Sequence, residues 1–405
     1  MKRLLYILWV VAFVVGSIGV YQRLAYGHQS TAYGSYVTWG LWVAMYIYFI
    51  GLSAGAFLLS TLVYVFGVKR MERIGKLALF TALVALVAAL LSIWFDLGHM
   101  DRFWKVYTSF AWQSLMAWMV WLYTAYFLLL MVELWFALRA DLAVWSGRPD
   151  FPGKIARLLS LGKTDTSPPA LERDAKVLKV LGSLGVPLAT AFHGGVGALF
   201  GVIGARPYWY SALYPIMFLL AALASGGALL TFIVAFFWPE RGTREHRDLT
   251  ILLGRLTLGL LALDLLTEWA EFSIHTYVAI PSTAEAYKLV LFGPHWWAFW
   301  IVHLGLGVLV PAAILILRGT RVAWVGAAAF LIASTFISAR LNIVIPALAV
   351  PEIRGLERAY LDPRLSFYYF PSLTEWMVGI FIAALGVALF YLGYRALPIV
   401  KAKEV

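Results

Sequence analysis

The sequence predicts an all-α fold: a polytopic membrane protein of about ten transmembrane helices arranged in two helical bundles. Three observations carry that prediction. Of 405 residues, 62% are hydrophobic and 13% are charged, and the mean hydropathy is +0.82, whereas soluble domains have an apolar share nearer one half. Apolar runs long enough to cross about 30 Å of hydrocarbon at about 1.5 Å per residue recur along the whole chain. Each run spans roughly 20 residues or more, and barrel strands would need only about ten alternating ones.

The first run, Leu4 to Val20, follows Lys2 and Arg3 and has no small-x-small cleavage site before Tyr21 and Arg23, so it reads as a retained helix. The second, Trp39 to Gly67, carries Gly51 and Gly55 on a face of small residues that lets helices approach closely. Trp39, Trp42 and Tyr46 would line a cleft left open by that packing, and a flat aromatic ligand would suit it. The third run, Lys76 to Asp96, opens into Asp96-Leu-Gly-His99-Met-Asp101-Arg102-Phe-Trp104. In the fourth, Trp112 to Leu138, Glu133 lies near the inner end, where its carboxylate would snorkel to water or serve an inner proton entrance.

The fifth run, Val177 to Gly204, holds His193 before two glycines, and the sixth is Ser211 to Trp238. The seventh, Leu249 to Ile280, carries Asp264, Glu268, Glu271 and His275 at spacings of four, three and four, which stacks them on one helical face. Ionisable groups at mid-bilayer cost roughly 2.5 to 3.5 kcal/mol each on insertion scales, so this stripe points to a proton relay or ligand path, with a polar helix contact as the bland alternative. The eighth, ninth and tenth runs are Pro294 to Leu317, Val322 to Val350 and Ser372 to Arg395.

The net charge of +11 does not indicate nucleic acid, because the basic residues occupy short loops between apolar runs. Lys69, Arg70 and Arg73, the stretch from Arg139 to Lys176, and Arg241, Arg244 and Arg247 fall on one side if every run crosses. The positive-inside rule makes that side cytoplasmic. An even number of spans in the cytoplasmic (inner) membrane then puts both termini inside, with Lys2, Arg3, Lys401 and Lys403. The expected division is 1–38, a first helix and outer loop; 39–210, a bundle holding the ligand site and a cytoplasmic loop at 140–176; 211–350, a second bundle; and 351–405, an outer loop and last helix.

The chain contains no cysteine, which excludes disulfides, thiolate-bound iron-sulfur clusters and covalently attached haem within it. No Walker lysine loop, HExxH pair or other metal-ligand spacing is present, so no metal site is expected. Quinone chemistry moves protons with electrons and needs hydrogen-bond donors and titratable neighbours, which Asp96 and His99 would supply. A capping turn with an Asp101 to Arg102 surface pair explains the same residues. His193 would meet a ligand, bond a neighbouring helix, or ligate haem with His303 as its mate.

These residues resemble the NrfD/polysulfide-reductase family of membrane subunits, in particular its longer ten-helix branch with the HybB hydrogenase subunit and the DsrP-like proteins. The resemblance rests on Trp39-Gly-Leu-Trp42 followed by Gly51-Leu-Ser-Ala-Gly55, on Asp96-Leu-Gly with Asp101-Arg-Phe-Trp104, and on His193-Gly-Gly leading to Ala205-Arg-Pro-Tyr-Trp209. Ser225-Gly-Gly227, Phe292-Gly-Pro294, Arg340-Leu-Asn342 and Tyr369-Phe-Pro-Ser-Leu-Thr-Glu375 continue it in order. It departs at His99-Met100, where the family commonly has Arg-Pro, and at Tyr46, near which some members place a histidine.

The resemblance implies a haem-free anchor that binds menaquinone or ubiquinone as substrate near the outer face. It implies electron exchange with a four-cluster ferredoxin-like iron-sulfur subunit, itself joined to a catalytic subunit of molybdopterin or hydrogenase type. Tyr46, Asp96, His99 and His193 would then make the carbonyl and proton contacts, with Trp39 and Trp42 as walls and Arg102 and Trp104 supporting the loop or meeting the partner. Two other classes stay open: a proton-coupled secondary transporter and a haem-bearing cytochrome b-type anchor.

Overall fold

Helices account for nearly every membrane-length apolar run because a segment in hydrocarbon must satisfy its own backbone hydrogen bonds. The computed structural model describes residues 2–353, 355–360 and 362–400; Lys401 and Lys403, counted above toward the inner side, lie outside them. Among the described residues, ten helices are long and apolar enough to span. They are Lys2–Tyr26, Leu41–Tyr64, Gly75–Asp96, Leu115–Trp145, Pro168–Gly201, Tyr214–Phe237, Arg244–Val278, Ala298–Arg318, Val322–Ala349 and Leu373–Ala396, here the first to tenth spans. No strand occurs among the described residues, and the chain is a multi-pass integral membrane protein.

The second span is the most enclosed, with 83% of its apolar window buried, against 11% for the first. It packs on the third, fifth, sixth and ninth spans, while the first span leans mainly on the tenth. Lipid is as apolar as leucine, so such contacts depend on close backbone approach rather than on a hydrophobic drive. Gly55 and Gly226 provide it: a Cβ on Gly55 would lie 2.0 Å from the Ala222 carbonyl oxygen, and one on Gly226 would lie 2.7 Å from the Gly55 Cα. A larger apolar core gathers mainly among the second to sixth spans, and a smaller one joins the sixth to the ninth.

Three elements differ from the sequence expectation. The polar stretch 140–176 is helical over much of its length: the fourth span continues to Trp145, a short helix covers Phe151–Leu159, and the fifth span begins at Pro168. Pro168 and Pro169 sit in the first helical turn, where a missing N–H costs nothing, so they start a helix instead of marking a loop. A buried ion pair between Arg139 and Asp174 (2.5 Å) and a partly buried one between Lys76 and Asp141 hold these helix ends together.

The second difference is the helix Pro281–Phe292 between the seventh and eighth spans. The third is that Ala298–Leu309, the first half of the eighth span, is wound as a π-helix. That geometry is rare and concentrates at functional sites. It carries His303 at its centre.

Candidate functional site

Asp264, Glu268 and Glu271 project from the seventh span into one cavity of ≈ 40 Å³, shared with His303, Arg340 and Asn342. That volume holds about three waters. Glu268 accepts from the His303 Nε2 at 2.9 and 3.0 Å, so eighth and seventh spans are tied across the cavity. Glu271 accepts from the Ser211 hydroxyl at 2.9 Å through one oxygen, while the other, buried and without a hydrogen bond, lies 3.4 Å from the His275 Nδ1. His275, one turn on, gives its Nδ1 to the Glu271 carbonyl at 2.9 Å and stacks on Tyr287.

Asp264 is 6% exposed and Arg340 is 3% exposed. Among the described residues, neither the Asp264 carboxylate nor the Arg340 guanidinium makes a direct hydrogen bond or salt bridge. Instead the guanidinium lies over the Phe218 ring, 4.8 Å from its centroid. Two such groups, where ionised, need solvation from within, and a cavity of this size has room for it. Burial first, and then the Glu268 and Glu271 charges, raise the Tyr208 hydroxyl well above the ordinary phenol range; Tyr287 is raised by burial, Tyr208 and Glu271. Both phenols remain hydrogen-bond donors at any ordinary pH.

Asp96 belongs to a second polar group, near the ends of the first, second, third and tenth spans. Arg23 donates from Nε to the Phe95 carbonyl at 2.8 Å and from Nη2 to the Leu97 carbonyl at 2.7 Å, which clamps the turn that presents Asp96. Glu375 accepts from the Ala32 N–H at 2.8 Å, the Ser372 N–H at 2.9 Å and the Tyr369 hydroxyl at 2.5 Å. Trp42, fully buried, donates its indole N–H to the Glu375 carbonyl and lies beneath Arg23 and against Tyr33 and Phe95. Burial first, then the Asp96 and Glu375 charges, push the Tyr33 hydroxyl well above the phenol range. Asp96 Oδ1 is buried without a partner.

The remaining residues singled out from sequence separate into distinct places. His193 is fully buried; its Nε2 meets the Phe218 carbonyl at 2.7 Å, and its Nδ1 has no partner. A carbonyl only accepts, so Nε2 carries the proton and the neutral ring presents Nδ1 as an acceptor. Its Cε1 lies beside Gly51. Gly51 is nine residues from Trp42, about 13 Å along a helix, so a single ligand ring does not touch His193 and Asp96 together. Tyr46 packs edge-on to Tyr123, which in turn meets Phe192, next to His193. Trp39 turns away from Trp42 and stacks on Trp209 against Phe200.

His99, Arg102 and Trp104 are exposed, and Arg102 pairs with Asp101 at 3.7 Å. Glu133 does not snorkel: it is 0% exposed and both carboxylate oxygens are buried without partners. The fifth span explains this, because Gly182, packed against Val65, closes over the carboxylate before it reaches the membrane edge. The two histidines considered for haem each engage through Nε2, His193 with the Phe218 carbonyl and His303 with Glu268, and each keeps a buried Nδ1 without a hydrogen-bond partner. Sequence reasoning missed Arg23 and Tyr33 and gave Arg340 no role. An arginine within an apolar run was the available signal for Arg340; nothing local marks Tyr33.

The NrfD family, described as polysulphide reductase NrfD, matches residues 29–352. A selenate reductase subunit of Mesobacillus selenatarsenatis is 39% identical, covering 100% of this chain and 96% of its own. The Hdr-like menaquinol oxidoreductase integral membrane subunit of Archaeoglobus fulgidus is 26% identical over 91% of this chain and 87% of its own. The menaquinone reductase integral membrane subunit of Nitratidesulfovibrio vulgaris is 25% identical over 96% and 90%. The chain belongs to the NrfD polysulphide reductase family.

Proposed function

We propose that this chain is the quinone-reactive membrane subunit of a respiratory oxidoreductase complex, inactive as a catalyst without its partners. In this reading it lies in the cytoplasmic membrane with both termini inside, as the basic loops favour. It binds quinol or quinone toward the outer face and exchanges electrons with a four-cluster ferredoxin-like subunit docked there, which leads to a catalytic subunit of molybdopterin or hydrogenase type. Two relatives are named for menaquinol or menaquinone, which favours that quinone.

The observation that carries the reading is His193, a buried neutral imidazole whose free Nδ1 accepts. It suits a quinol hydroxyl, and an acceptor at that position can take the proton as the electrons leave. Oxidation of a quinol releases a pair of electrons and a pair of protons; the electrons pass to the iron-sulfur partner. Tyr46, about 7 Å outward of Gly51 along the second span, stands between His193 and Asp96, and Asp96, nearer the face, receives protons on their way out. The Asp264, Glu268, Glu271 and His275 stripe provides a separate proton relay in the second bundle, with Glu133 as an inner entrance.

Tryptophan fluorescence of the purified chain in nanodiscs, titrated anaerobically with short-tail menaquinol, tests the reading. Saturable quenching is expected, weakened about tenfold in His193→Leu, the loss of roughly one buried hydrogen bond. Absence of saturable quenching in the native chain would overturn it and favour the proton-coupled transporter.

A further inference from the structure

Phe218 stands between His193 and the Asp264 cavity and touches a residue of each side. On one side its carbonyl accepts from His193 of the fifth span at 2.7 Å. On the other, its ring carries the Arg340 guanidinium of the ninth span at 4.8 Å. That guanidinium also faces the cavity, where Asp264, Glu268 and Glu271 approach from the seventh span and His303 from the eighth. Glu268 is committed to His303 and Glu271 to Ser211. Asp264 is the carboxylate without a direct partner, as Arg340 is the cation without one.

A charge held by a ring face and a small cavity, rather than by a fixed ion pair, leaves its field uncompensated when neighbouring charges change. In a low-dielectric interior such a field reaches across one side chain with little screening. We propose that Arg340 is a coupling residue, which passes the charge state of the Asp264 cavity through Phe218 to His193 and so sets how strongly His193 accepts a quinol hydroxyl. The proposal rests on the quinol reading above. Its sign follows from electrostatics. An ionised Asp264 offsets Arg340 and lets positive charge build on the imidazole as it accepts the bond; a neutral residue at 264 leaves Arg340 opposing it.

The test is a double-mutant cycle on menaquinol binding to the full chain in nanodiscs, with Asp264→Asn, Arg340→Gln and both together. Asp264→Asn is expected to weaken binding about fivefold in the native background, and to change it less than about twofold once Arg340→Gln is present. Arg340→Gln alone binds at least as tightly as the native chain. Arg340→Lys, which keeps the charge, retains the dependence on residue 264, as a merely structural role would not require, and it serves if Arg340→Gln does not fold. Equal effects of Asp264→Asn in both backgrounds, or no effect in the native one, overturn the coupling while leaving the quinol site standing. A native chain that binds no menaquinol overturns both.

Discussion

Glu375 and Asp264 are both carboxylates on apolar helices, and the molecule treats them in opposite ways. Glu375 receives three hydrogen bonds, from Ala32, Ser372 and Tyr369, and joins two loops to the start of the tenth span. Asp264 receives none from a described side chain and faces a cavity. The difference separates a charge used to hold the fold from a charge kept free to change. Direct bonds fix a group's geometry and protonation; solvation by a small cavity allows both to vary.

The sharpest way to break this contrast is Glu375→Ala. It orphans two backbone N–H groups and a phenol, so a loss on the order of 3 kcal/mol is expected, read as a lower thermal unfolding midpoint in detergent. A midpoint unchanged from native would show that Glu375 is not the tie it resembles. Asp264→Asn should behave conversely: stability within about 1 kcal/mol of native, but quinol-linked proton uptake by the assembled complex reduced at least about tenfold. Unaltered uptake would remove Asp264 from the relay. His99→Ala is the smallest: with an exposed side chain, stability should move less than about 0.5 kcal/mol and menaquinol binding should not change. A clear loss of binding would return His99 to the ligand site.

Much of the candidate site was legible in the chain because membranes make polar residues conspicuous. The spacing of Asp264, Glu268 and Glu271 alone puts them on one helical face, which in the structure turns toward one cavity. His303 was visible only as a lone histidine, and its direction depends on the π-helical winding of Ala298–Leu309. A wider turn rotates every later side chain relative to an α-helix, and no pattern in that apolar run announces it. Glu133 was misplaced for a related reason. Position in a span gives depth, but whether a side chain reaches water depends on which neighbour covers it, here Gly182 backed by Val65.

By itself the sequence determined the ten spans, the basic loops and the family, since these follow from run length, charge count and ordered local motifs. Only the tertiary structure decided that Asp96 and His193 lie at different depths, that Arg23 and Glu375 secure the first region, and that Arg340 and Asp264 meet a common cavity. The physical reason is that helix rotation and helix choice are set by close packing at residues such as Gly55 and Gly226, and a side chain's partners come from helices far away in the chain.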